Sequence, residues 1–183
     1  MYEGTTVKMP ELTIRAMTYQ DISPIVDAER EQGWHPKADK YERRLRDRDS
    51  GRSAALVAVL DGNVAGYINV YYTARSGPFA ASGIPEIVDF GVFRKYQRQG
   101  IGSALMDAAE AAAAECADRV CLGVGLHSGY GSAQRMYAKR GYLPDGSGVW
   151  YGDAPCVPYE KVDNDDDLVL YLSKRLEKAK NTI

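Results

Sequence analysis

Residues 97–106 read QRQGIGSALM. They follow the apolar stretch IVDFGVF (87–93) and lead into the alanine-rich run DAAEAAAAEC (107–116). A strand followed by a helix is the simplest reading, with Gly100 and Gly102 at the point where the helix begins. Glycine in a helix costs about 1 kcal/mol relative to alanine, so two of them at a helix start need a reason. A helix N-terminus presents unpaired backbone N–H groups and a partial positive charge, and anions bind there. Gly100 and Gly102 would leave clearance for a bulky phosphate. Ser103 would add a hydroxyl donor, and Arg98 a charge at the rim. The same glycines would also suit close packing of helix on strand.

Three phosphate motifs compete for this segment. A P-loop ends Gly-Lys-Ser/Thr, whereas this helix opens Gly-Ile-Gly-Ser. A dinucleotide fingerprint needs a third glycine, which Gly100-Ile101-Gly102-Ser103-Ala104-Leu105 lacks. It also needs a direct strand-to-glycine turn, and RKYQRQ (94–99) intervenes. The pattern Gln/Arg-x-x-Gly-x-Gly/Ala is met in full by Gln97, Arg98, Gln99, Gly100, Ile101 and Gly102.

Around this segment the 183-residue chain suits one domain, taken as residues 1–183. With 45% hydrophobic and 26% charged residues it can bury a core. Its net charge of −2 gives no basic field for nucleic acid, so no nucleic-acid partner is expected. No apolar run reaches the roughly 18 residues a membrane span needs, so no membrane partner is expected either. The N-terminal MYEGTTVKMPELTIRAM has no charged-then-apolar signal pattern, which points away from export. Cys116, Cys121 and Cys156 show no CxxC spacing. Cys116 falls in a helical run and Cys121 in a strand run, where small buried thiols are common. A reducing cytoplasm fits best.

The pattern along the chain is mixed. ELTIRAM (11–17) reads as a strand, and Asp21 as the cap of a helix over 22–33. KADKYERRLRDRDSG (37–51) reads as a highly charged helix with a solvated face. AALVAVL and NVAGYINVYYTA flank Asp61-Gly62, a hairpin signal. Residues 76–83 read as loop, PEIVDFGVF (85–93) as a strand, and the alanine-rich helix runs to about Ala117. RVCLGVGL (119–126) is a strand, HSGYGS (127–132) a loop and SAQRMYAKR (132–140) a short helix stopped by Gly141. Residues 142–151 contain PDGSG, a turn with short strand pieces, and DLVLYL (167–172) is a final strand. The strand–helix–strand run over 84–124 implies two parallel neighbours in the middle of the sheet.

The 97–102 motif, its strand, its alanine-rich helix and a later AQRMYAKRGY (133–142) together resemble the GNAT superfamily of acyl-CoA-dependent N-acetyltransferases. The later stretch resembles the family's Ala-x-x-x-Tyr-x-x-x-Gly-Phe/Tyr element through Ala133, Tyr137, Gly141 and Tyr142. The resemblance spans about 54–143. It implies an α/β (α+β) fold: a mixed, mostly antiparallel central sheet of about six to seven strands, with a central parallel pair and about four helices on both faces. It implies acetyl-CoA as co-substrate, no metal, a small-molecule or peptide amine as acceptor, and a homodimer. Two parallel strands are expected to splay, with the cofactor arm in the gap like an added strand. Phe90, Gly91 and Val92 would line that gap, and Gly123 and Gly125 across it would permit close approach. Gln97, Arg98, Gln99, Gly100, Ile101, Gly102, Ser103 and Ala133 complete the expected cofactor site. Relatives often have Asn where this chain has Tyr130, so Ser128, Ser132 or loop backbone would have to replace that contact.

Acetyl transfer to an amine needs proton removal, carbonyl polarisation and protonation of the departing thiolate. By resemblance Tyr137 sits beside the sulfur. A phenol of pKa about 10 can return a proton to a thiolate of conjugate-acid pKa about 8.5. Glu86 stands fourteen residues ahead of Gly100, where relatives with a direct base often carry glutamate. Asp89, His127 and a water chain are alternatives. Period-2 alternation puts Glu86 and Asp89 on opposite faces. The acceptor would enter past Trp34, His35, Tyr41, Trp150, Tyr151, Asp153 and Glu160, where aromatics and acids suit a cationic amine. A non-catalytic acyl-CoA sensor and a nucleotide-binding regulator using GVGLHSGYG (123–131) are the rival readings.

Overall fold

Ser53–Leu60 (β2) and Asn63–Tyr71 (β3) pair antiparallel, with Leu60 opposite Asn63. The two residues between them, Asp61 and Gly62, both have positive φ, +48° and +81°. That is the turn whose twist matches paired strands. Leu12–Ala16 (β1) pairs antiparallel with β2 on its outer side. Glu86–Val92 (β4) pairs antiparallel with β3 on the inner side. The computed structural model describes residues 10–177.

A strand–helix–strand unit follows. β4 leads through a 3₁₀ turn to the helix Ile101–Ala114 (α3) and returns as Arg119–Gly125 (β5), parallel to β4. The helix Gly131–Lys139 (α4) leads to Leu143–Tyr151 (β6), the two-residue Ala154–Pro155 (β7) and Leu168–Arg175 (β8). Among the described residues the sheet has eight strands in the order β1-β2-β3-β4-β5-β8-β6-β7. β4–β5 is its parallel pair, and the other pairs are antiparallel. The count exceeds the expected six to seven. The short β7 carries no apolar alternation, and PDGSG does not end β6: the ladder skips from Pro144 to Val149 and resumes. Gly146 and Gly148, at φ +91° and +86°, absorb that skip. Cys116 lies beyond the end of α3 and is exposed, contrary to the helical, buried reading, while Cys121 is buried in β5.

The helices Ile22–Glu31 (α1) and Ala38–Asp49 (α2) cover one face, where Ile25, Tyr41 and Leu45 meet Ala55, Val57 and Tyr67. α3 and α4 cover the other, where Leu105, Met106 and Tyr137 meet Ala58, Ile68 and Leu122. Alternation along β2 and β3 divides these sets. α2 is mostly charged, and its buried Tyr41 and Leu45 stand at i, i+4. Each such burial contributes about 1.5–3 kcal/mol. Its charged surface is not wholly solvated, because Arg44 and Asp47 turn inward at 15% and 9% side-chain exposure.

β4 is where alternation fails. Tyr67 pairs with Gly91 and Asn69 with Val88, so Ile68 faces two residues, Asp89 and Phe90. Asp89 is the extra residue of a β-bulge and takes φ +49°. The inserted residue shifts the side-chain phase. Phe90 and Val92 pack toward α3, while Glu86 and Asp89 both face α2. The expectation that Glu86 and Asp89 point to opposite faces is therefore overturned.

Candidate active site

The loop at the mouth of β4 is built on two left-handed residues, Arg98 at φ +64° and Gly100 at φ +80°. Gly100 is the N-cap of α3, and an added Cβ there would meet nothing within 4 Å. Glycine is needed at this position for its backbone angle, and the space beside it is open. The first amide to bond back into the helix is that of Ala104, to the Gly100 carbonyl at 3.1 Å. The amides of Ile101, Gly102 and Ser103 precede it and lie in the first turn, which has no helical acceptors. Gly102 has a different part from the one expected. A Cβ there would sit 3.4 Å from the Phe90 ring, 3.7 Å from Val92 and 3.8 Å from the Met136 sulfur. These are ordinary contact distances, so a methyl fits there, and the position faces the helix–strand seam rather than the open mouth. Gln97 and Gln99 turn their side chains to the loop itself, donating to the carbonyls of Val92 (3.1 Å) and Lys95 (3.4 Å). Their side chains brace the loop.

Beyond the mouth the parallel pair opens. β4 and β5 are in register only at Glu86–Cys121 and Ile87–Leu122. From Val88 onward β4 pairs with β3 alone, while Gly123–Gly125 pair with β8 alone. The gap exposes the β4 edge from the bulge to Val92. Gly123 and Gly125 do not stand open as expected. A Cβ on Gly123 would press on Tyr171 at 3.3 Å, and one on Gly125 would strike the Tyr130 ring at 2.3 Å. These glycines make room for aromatic rings. Tyr130 donates to Asp166 at 2.9 Å, and burial followed by that hydrogen bond pushes its pKa up to about 12. Ala133 packs against the core of the α3/α4 face.

The proton-handling candidates differ in how free they are. His127 accepts the Gly129 N–H at Nδ1 (3.1 Å), so its proton lies on Nε2, 2.9 Å from Asp166. Both ring nitrogens are engaged. Asp89 is matched by Arg44 at 2.5 Å and Lys40 at 3.8 Å. Glu86 is 6% exposed, and its one hydrogen bond among the described residues is from the Arg75 amide at 3.4 Å. Burial raises its pKa, and the amide with nearby Arg44 and Arg75 only partly offsets this. Tyr137 is 6% exposed on α4, 5.7 Å from the Tyr142 ring. Burial raises its pKa, with Tyr130 adding to the effect, and no hydrogen bond to a described residue contributes. Glu86 and Tyr137 approach the sheet from opposite faces.

Sequence reading missed a buried polar layer over the bulge. Glu29 on α1 accepts from Tyr41 (2.6 Å) and Tyr67 (2.5 Å). A Cβ on Gly91 would lie 3.3 Å from the Tyr67 hydroxyl oxygen, which places this layer directly over β4. Trp34 and His35 line a cavity of about 410 Å³ beside it. On the late loop, Trp150 packs on Tyr171, Tyr151 donates to Asp165 and Glu160 accepts from the Val157 amide. Nothing in single-residue spacing marks Glu29, since it occupies a helical core position like its apolar neighbours. Among the described residues no helix is long and apolar enough to cross a membrane.

A glycine-led helix at the mouth of an opened parallel pair is the arrangement of the GNAT fold, and solved structures of that fold superimpose on this chain. Ard1 from Thermoplasma volcanium is 21% identical with a TM-score of 0.66, covering 91% of this chain and 98% of its own. The ribosomal-protein-S18-alanine N-acetyltransferase from Escherichia coli is 13% identical with a TM-score of 0.65, covering 94% and 99%. YncA from Salmonella typhimurium, solved with acetyl-CoA, is 16% identical with a TM-score of 0.65, covering 94% and 98%. No curated protein sequence matches the chain. The Acetyltransferase (GNAT) family pattern matches residues 19–142, and the chain belongs to that family.

Proposed function

We propose that the protein is an acetyl-CoA-dependent N-acetyltransferase in which a primary amine attacks directly. The observation that carries this reading is the opened β4–β5 pair with the left-handed Arg98–Gly100 loop at its mouth. The residues fit the co-substrate. First-turn amides of α3 suit a diphosphate, and the unpaired β4 edge from Phe90 to Val92 suits an extended arm. Acetyl-CoA supplies an acetyl group already activated as a thioester. Glu86 takes the amine proton at its carboxylate, and its raised pKa moves it toward the range a general base needs. It is favoured over Asp89 and His127 because both of those are already engaged. Tyr137 holds at its hydroxyl the proton that returns to the departing sulfur. The Glu29–Tyr41–Tyr67 layer packs over β4 beside the bulge.

The test is a melting-temperature comparison of acetyl-CoA, CoA, ATP and NAD, followed by CoA release with an amine panel. A ligand at 100 times its Kd adds about 2.7 kcal/mol of stability. Acetyl-CoA and CoA should stabilise the protein while ATP and NAD do not. A shift with ATP and none with acetyl-CoA defeats the reading.

A further inference from the structure

A second cavity, of about 570 Å³, lies against the inner end of β3, where Tyr71, Arg75, Asp47 and Arg52 line it. Glu86 lies just behind this lining, standing opposite Tyr71 in the β3–β4 ladder and accepting the Arg75 amide. Resting on the transferase reading, we propose that this cavity holds the acceptor, and that the acceptor is a zwitterion: a small molecule bearing both the reactive amine and a carboxylate.

The reason is how charge is layered with depth. The deep side is acidic and buried: the Asp47 side chain in the lining is 9% exposed, and Glu86, behind the Arg75 amide, is 6% exposed. The rim is cationic and open, with both Arg52 and Arg75 at 61% side-chain exposure. Tyr71 fixes the deep side by donating to Asp47 and accepting from Arg44. Arg75 lies over the Tyr71 ring, 5.0 Å from its centroid, and reaches Asp47 at 3.5 Å. Arg52 reaches the same carboxylate at 2.5 Å. A guanidinium has five N–H donors, so two guanidiniums sharing one carboxylate keep donors for a second anion. Planar guanidiniums suit a carboxylate. An amine entering toward Glu86 with its carboxylate behind it meets complementary charge at both ends. A diamine would set its trailing ammonium against Arg52 and Arg75, a like-charge clash that selects against it.

The experiment measures CoA release from acetyl-CoA with common L-amino acids, β-alanine and γ-aminobutyrate. Each is paired with the amine that lacks its carboxylate. At least one carboxylate-bearing member should exceed its partner by roughly tenfold or more in kcat/KM, the scale of one charge-assisted contact. Arg75→Gln should raise KM for that substrate with little change in kcat, and should leave acetyl-CoA KM unchanged. Arg75→Lys should restore part of the loss, which separates charge recognition from a folding defect. Equal or better turnover of the decarboxylated amines overturns the zwitterion and leaves the transferase standing. No turnover of any carboxylate-bearing amine, with the acetyl-CoA melting shift intact, also overturns it. Absence of that shift removes both readings.

Discussion

Arg44 on α2 donates from Nε to the Asp89 carboxylate at 2.5 Å, across the point where β4 bulges. The pair holds a non-glycine residue at φ +49°, a region that asparagine and aspartate tolerate better than other side chains. Substitution should therefore rank by backbone tolerance and by charge together. Asp89→Asn keeps the angle and loses the ion pair, whereas Asp89→Val loses both. Urea melts should show Asp89→Val destabilised by about 1–3 kcal/mol more than Asp89→Asn. Equal losses would mean that the bulge is not held by this residue.

The two motif glycines should separate cleanly. Gly100→Ala forces a side chain to φ +80° and points a methyl group into the open mouth. It should cost about 1–2 kcal/mol of stability and weaken acetyl-CoA binding by roughly tenfold or more, read by titration. Gly102→Ala places its methyl at ordinary contact distance from Phe90, Val92 and Met136. It should leave both quantities nearly unchanged.

Glu86 predicts a pH dependence with a definite sign. Burial raises its folded-state pKa above the unfolded value. Its contribution to stability is full below the unfolded pKa and is lost as pH rises through the folded one. Glu86→Gln should thus be at least as stable as the parent at neutral pH, with the two converging on acidification. In kcat/KM the acid limb should lie above the ordinary carboxylate range of about 4–4.5. Glu86→Gln should abolish that limb together with most of the rate. A full-rate Glu86→Gln enzyme would assign the base elsewhere.

Glu110 predicts the opposite sign. It accepts from Arg140 on Nε at 2.9 Å, Lys174 at 2.7 Å and the Tyr142 hydroxyl at 3.2 Å, joining α3 to the segment after α4 and to β8. Burial alone would raise its pKa, but the Arg140 and Lys174 hydrogen bonds outweigh burial and bring it below the usual value. Its stabilisation is present above the unfolded pKa and is lost as pH falls through the lowered folded pKa. Glu110→Gln should cost about 1–3 kcal/mol at neutral pH, because two cations lose their shared anion. The deficit should shrink in acid, as followed by melts across pH.

Tyr137→Phe removes the hydroxyl of a buried side chain, and no hydrogen bond contributes to its pKa shift. Stability should hold. If that hydroxyl returns the proton to sulfur, kcat should fall by roughly 10²–10⁴-fold while acetyl-CoA KM stays put. An unchanged kcat would reduce Tyr137 to packing against Tyr142.

Much of this protein was legible along the chain. The Asp61-Gly62 hairpin, the parallel crossover over 84–124 and the helix opening at Gly100 all follow from turn chemistry and periodicity. These depend on neighbours within a few residues. Tertiary structure alone decided the rest. One inserted residue in β4 turned Asp89 to the same face as Glu86. Long-range packing set Gly102 against the helix–strand seam and Gly123 against the Tyr171 ring. It also turned Arg44 and Asp47 of a charged helix inward. Local pattern determines which groups alternate. Where a ladder slips, and which distant ring or ion fills a space, is set by residues far away in sequence, and no local spacing encodes them.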